Sequence, residues 1–145
     1  MFTAQIKLNL DAKRKYLAKG GPAQTMLDRL VVDYSIPYVP FDTGTLSRSP
    51  YAASDFGSGK VIYPGPYAHY QYMGEVYGPN HPIKQGTEII RWWSPPGQRK
   101  TPTGRPLKYD QTLNPLAGSY WTDRMKADHM ADLTREVAKL VANQK

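Results

Sequence analysis

The chain is predicted to be α+β: a small antiparallel sheet with an N-terminal helix, a long loop or arm at about 77–110, and a long C-terminal helix. Three observations predict this. Apolar residues alternate at period two near the N-terminus. Two later stretches repeat apolar residues at three- and four-residue spacing. Between them lies a run rich in Gly, Pro, Lys and Arg. With 145 residues the chain has the size of one ordinary domain, 1–145, built round one core.

In chain order, Ala4, Ile6, Leu8 and Leu10 fall on one face of an extended segment, so 2–10 reads as a strand. Asp11 then caps a short polar helix over roughly 12–18, which stops at Gly20 and Gly21. A second helix starts near Pro22, a residue tolerated in a first helical turn. It buries Met26, Leu27, Leu30, Val31 and Tyr34, and Pro37 and Pro40 end it. Phe41 to Ser49 reads as a turn with little regular structure. Tyr51 to Phe56 and Gly59 to Tyr63 flank Gly57-Ser58-Gly59 as the strands of a hairpin. Tyr67 to Met73 predicts two helical turns ending at Gly74. In 77–110 only Thr87 to Trp93 reads as a strand, within a loop or basic arm over 81–110. The best helix comes last, over 119–143: Trp121, Met125, His129, Leu133, Val137, Leu140 and Val141 trace its apolar stripe.

Composition narrows the function classes. Without cysteine, neither a disulfide scaffold nor a thiolate metal site can form. No apolar run reaches the ~20 residues of a membrane span, and Gln5, Lys7 and Asn9 break any signal-peptide core. The expected location is therefore the cytosol where the chain is made, with no membrane contact. Tyrosine dominates the aromatics, 11 against 3 Trp and 3 Phe, and suits half-buried surfaces that meet other protein. The net charge is +7 and the pI about 9.6, a balance that favours a polyanion nearby. It is unevenly spread. In 81–110, Lys84, Arg91, Arg99, Lys100, Arg105 and Lys108 face only Glu88 and Asp110.

Catalytic motifs are sparse. Asp42-Thr43-Gly44 matches the aspartic-protease tripeptide, but that chemistry needs two carboxylates sharing a proton, which so small a chain supplies only as a homodimer. The residues favour a turn instead. Asp42 accepts a backbone N–H two residues on, Thr43 does so more weakly, Gly44 supplies positive φ, and Leu46 enters the core. His69, His81 and His129 lack any metal-ligand spacing, and no phosphate-binding glycine loop or nucleophile elbow occurs. No enzyme activity, cofactor or metal is expected. Cations around Trp92 and Trp93 compose a backbone-binding, base-stacking surface, so a stand-alone nucleic-acid-binding module is the alternative reading. The preferred reading is a solvated arm whose tryptophans bury against a neighbouring subunit.

Two segments carry a resemblance. Val39 to Ser49 contains Pro40-Phe41-Asp42-Thr43-Gly44-Thr45-Leu46. Pro66 to Gly74 contains Tyr67-Ala68-His69-Tyr70. With Asn114 to Asp123 leading into the final helix, this order resembles the minor capsid and tail-completion (head–tail neck) proteins of tailed phages. There a P-x-D-T-G-x-L turn follows an N-terminal helix, and a Y-A-x-Y-x-x-x-G turn follows a hairpin, matched here by the hairpin expected to end in Tyr63. The likeness covers most of 22–143. It implies a structural virion component of the neck or upper tail: a homo-oligomeric ring, typically a hexamer. That ring joins the head-connector or adaptor proteins to the tail-tube or tail-terminator protein and lets DNA pass. It carries over no catalytic residue. It casts Asp42, Thr43, Gly44, Leu46, Tyr67, Ala68 and Gly74 as architecture. Lys84, Arg91, Trp92, Trp93, Arg99, Lys100, Arg105 and Lys108 become the candidate subunit interface or DNA-channel lining. The strand at 2–10 and the length of 81–110 depart from the simplest family pattern.

Overall fold

The first three described residues already join segments far apart along the chain. A computed structural model of the chain describes residues 2–4 and 18–143. Strand β1 (Phe2–Ala4) pairs antiparallel with β2 (Val61–Tyr63), which sets Phe2 opposite Tyr63. The Phe2 ring stacks on Tyr72 at 3.7 Å and meets Trp121 edge-on at 5.9 Å, while Tyr63 and Tyr72 pack against Trp121 at 5.3 and 4.8 Å. This aromatic cluster forms the heart of the core. The rest of the strand expected at 2–10, and the helix expected over 12–18, lie outside the described residues.

Helix α1 (Pro22–Ser35) begins and ends as its prolines predict, with a single turn of tighter helix at Ile36–Tyr38 beyond it. Its inner face carries Ala23, Leu27, Val31 and Val32, with Leu30 and Tyr34 at the margin. Two polar residues are buried on it. Ser35 Oγ donates to the Val31 carbonyl at 2.6 Å. Asp28 accepts from the backbone N–H of Gly57 (2.7 Å), from that of Gly59 (3.1 Å) and from Gln24 Nε2 (2.7 Å). The Gly57-to-Gly59 segment is thus a loop pinned to α1.

It is not a hairpin turn. Thr45–Ala53 forms helix α2, so the irregular turn expected at Phe41 to Ser49 and the strand expected at Tyr51 to Phe56 are both replaced by helix up to Ala53. Serine-rich, proline-containing sequence hides this helix from propensity. The structure supports it through hydroxyls. Pro50 has no N–H for the Leu46 carbonyl, and Ser49 Oγ donates to that carbonyl at 2.7 Å instead. Ser47 Oγ donates to the Gly44 carbonyl at 3.0 Å, and Pro50 itself is fully buried.

Helix α3 (Pro66–Met73) ends at Gly74 as expected, with φ 75°. The final helix α4 (Trp121–Ala142) packs along α1 and buries Trp121, Met125, Leu133, Val137 and Val141, on the stripe read from the sequence. His129 sits half-buried beside Tyr34, its Nδ1 3.0 Å from Asp132. No helix among the described residues is long and apolar enough to cross a membrane.

Residues 75–106 correct the expectation of a mostly irregular arm. They form a long two-stranded ribbon. Its base pairs β3 (Glu75–Gly78) with β6 (Thr101–Pro106), and its outer half pairs β4 (His81–Gln85) with β5 (Glu88–Trp93). Proline and glycine at strand positions mask these strands from sequence patterns, yet a two-stranded ribbon has free edges that tolerate proline. At the junction Asn80 holds both halves. Its Nδ2 donates to the Tyr77 carbonyl at 2.7 Å, and its Oδ1 accepts from Ser94 Oγ (2.9 Å) and Lys100 Nζ (3.0 Å). The fold is α+β, with antiparallel pairs, a long terminal helix and a projecting arm.

Candidate functional site

The two turns singled out in the sequence come together in space. Pro40 to Leu46 forms one wall of an open cleft of about 540 Å³. Pro64, Gly65, Tyr67, Ala68 and Gln71 form another, and Lys108 to Asp110 closes the rim. Two segments some twenty residues apart therefore share one surface feature, and the returning base of the arm completes it.

The first wall is held by its own backbone. Gly44 has φ 80° in the left-handed region, and a Cβ there would stand 3.0 Å from both the Phe41 ring and the Arg48 guanidinium. Arg48 Nη2 donates to the Thr43 carbonyl at 3.0 Å and Nε to that of Gly44 at 3.2 Å, while the hydroxyls of Thr43 and Thr45 lie 2.7 Å apart. The Asx turn expected at Asp42 does not form. Asp42 is exposed and takes no hydrogen bond among the described residues, and Arg48, one helical turn along, braces the corner through its carbonyls instead. Leu46 turns inward and packs against the core.

The second wall rests on Tyr72 and Gly74. Tyr72 lies buried behind it, its hydroxyl 2.8 Å from Thr122 Oγ1 and donating to Asp123 at 3.0 Å. Burial, together with the Asp123 carboxylate, pushes the Tyr72 phenol up to about 12. The Tyr72 carbonyl accepts the Tyr120 N–H at 2.9 Å, and Gly74 approaches Ser119 so closely that a Cβ would stand 2.7 Å from it. Ala68 is buried, whereas Tyr67 projects with 73% of its surface exposed. Tyr109 donates to the Gln71 carbonyl at 2.5 Å and so clamps the rim segment to α3. At the rim, the hydrogen bond from Thr112 holds Asp110 below the usual carboxylate range.

The arm presents a second feature. Ile89, Ile90, Trp92 and Trp93 are 43%, 55%, 58% and 49% exposed, a density of bare apolar side chains seen nowhere else on the chain's described surface. Residues opposite one another in a ribbon share a face. Pro82, Lys84, Ile89 and Trp92 therefore lie on one side, and His81, Ile83, Arg91 and Trp93 on the other. The Trp93 ring packs 5.7 Å from His81. Trp92 has no ring partner among the described residues.

The basic residues expected to act together are dispersed. Lys84 and Arg91 point to opposite faces, Arg99 sits in the loop after β5, and Lys100 is engaged with Asn80. Arg105 lies on β6, and Lys108 belongs to the cleft. No group of three or more His, Asp or Glu side chains suited to a metal ion occurs among the described residues. The sequence did not reveal the cleft, since its walls and rim meet only through the return path of the arm. Apolar residues flanking both turns (Phe41, Leu46, Pro64) were its faint signal. Comparison with known family models, characterised proteins and solved structures returns no significant match.

Proposed function

We propose that the chain is a non-catalytic structural subunit of a tailed-phage neck or upper tail. In this reading it forms a ring that joins head connector to tail tube and leaves a passage for DNA. The observation that carries the proposal is the arm. A two-stranded ribbon is marginally stable alone, and one that exposes isoleucines and tryptophans on both faces needs a partner to cover them. A ring of identical subunits meeting head to tail supplies such cover and closes on itself. The excess of positive charge suits a subunit placed near DNA without reading its sequence, because phosphate contacts carry no base information. The dispersal of the arm's cations over both faces supports this arrangement over a stand-alone nucleic-acid-binding module, which concentrates them beside its stacking aromatics.

Electron microscopy of the purified protein and of the particle tests the reading, with a closed ring as the expected image. A protein that stays monomeric, binds DNA tightly and loses that affinity steeply with salt overturns it in favour of the nucleic-acid module. Peptide cleavage abolished by Asp42→Ala overturns it in favour of a protease.

A further inference from the structure

We infer that the Trp92 face of one copy's arm seats in the cleft between the Asp42 corner and the Tyr67 turn of the next copy. The inference rests on the ring reading above and names the two surfaces that would close it. Each half of the contact is incomplete by itself. On the arm, Pro82, Ile89 and Trp92 form an apolar face with a single cation, Lys84, opposite Ile89. Trp92 is the most exposed of the tryptophans, at 58%, and lacks a ring partner among the described residues, whereas Trp93 already leans on His81. The cleft has apolar walls at Phe41, Leu46 and Pro64, with the carboxylates of Asp42 and Asp110 on its rim against one Lys108.

Size and charge both match. A cleft of about 540 Å³ lies within the roughly 300–1,000 Å³ that holds a drug-sized group, and an indole with a neighbouring isoleucine is of that order. Asp42 takes no hydrogen bond within its own chain among the described residues, so its charge is available to a cation arriving with the arm. Apolar surface at the centre with an opposite-charge pair at the rim is the anatomy of a specific protein contact. Arm and cleft are different surfaces, so the contact is head to tail. It propagates from copy to copy until the ring closes.

The absence of cysteine makes the test clean. Ile90→Cys places a thiol two residues from Trp92, and Thr45→Cys places one on the cleft wall. Both positions are exposed. The two single variants are mixed and treated with a short bifunctional maleimide. The expected result is a mixed arm-to-cleft product that Trp92→Ala abolishes. Lys84→Glu in the arm partner lowers its yield about tenfold, and Asp42→Lys in the cleft partner restores it, as expected for one rim charge pair. Circular dichroism of each variant reports that the fold persists. Oligomers that form without the mixed product overturn the pairing and leave the ring reading standing. Absence of the product at every concentration overturns the pairing whatever the micrographs show. A chain carrying both thiols that links only to itself also overturns it. Micrographs of the particle read the ring independently, so the two proposals fail separately.

Discussion

Replacing Asp28 by alanine removes the acceptor that, among the described residues, pins the Gly57-to-Gly59 loop to helix α1. Its Oδ2 takes the N–H of Gly57 at 2.7 Å and that of Gly59 at 3.1 Å, and its Oδ1 takes Gln24 Nε2 at 2.7 Å. The carboxylate is 3% exposed, and Gly57 is buried while Gly59 is half-buried. An orphaned buried donor costs about 1–3 kcal/mol. The Gly57 N–H bears the full cost, the Gly59 N–H regains part of its bonding from water, and Gln24 can turn to solvent. Loss of the buried charge gives some desolvation energy back. The net expectation is a loss of about 2–4 kcal/mol, a large part of the stability of a domain this size. Asp28→Asn keeps an oxygen for the two glycines, and Gln24 can offer its own oxygen to the new amide. That variant is expected to lose only about 1 kcal/mol, the charge assistance of the bonds. Urea unfolding followed by tryptophan fluorescence measures both, with the slope unchanged if only the folded state is affected. An Asp28→Ala midpoint indistinguishable from the parent's refutes the assigned role. Equal losses in the alanine and asparagine variants refute the idea that the acceptor, rather than the charge, is what matters. The consequence reaches the cleft, because this loop leads into β2 and on to Pro64 and Gly65 in its wall.

Gly74→Ala combines a left-handed φ of 75° with a Cβ 2.7 Å from Ser119. It is expected to destabilise by about 1–3 kcal/mol in the same unfolding assay. Asp42→Ala is expected to leave the thermal midpoint unchanged, since the carboxylate is exposed and takes no hydrogen bond among the described residues, while weakening self-association measured by sedimentation. Alkaline titration is expected to destabilise the fold. Burial, with the Asp128 and Asp123 carboxylates, pushes the Tyr38 and Tyr72 phenols from 10.0 up to about 12. A raised folded-state pKa contributes stability that is complete below pH 10 and lost as pH climbs towards 12. Thermal melts across that window, paired with tyrosinate absorbance, check the sign.

Tyrosine shows how far composition alone reaches. Its abundance suggests interfaces, and Tyr67 and Tyr120 are exposed, but Tyr38, Tyr63 and Tyr72 are core residues, and the Tyr38 and Tyr72 hydroxyls donate to the carboxylates of Asp128 and Asp123. The Tyr72 hydroxyl finds Thr122 and Asp123 fifty residues away in sequence, a partnership that no local spacing announces.

Local chemistry determined what depends on neighbours along the chain. Pro22 opens α1, Gly74 stops α3, and the stripe from Trp121 to Val141 buries one face of α4, because turn geometry and helical periodicity act over a few residues. Tertiary structure decided the rest. Helix α2 exists because Ser49 serves the carbonyl that Pro50 leaves bare, against a propensity that reads as turn. The arm is a ribbon because Asn80 joins two strand pairs across residues 80–100, a pairing of separated segments that alternation cannot disclose. The Asp42 corner, a chain reversal by sequence, became one wall of a cleft only when α3 and the returning base of the arm packed opposite it. Periodicity records which side of an element is apolar. Which other surface it meets is settled by long-range packing.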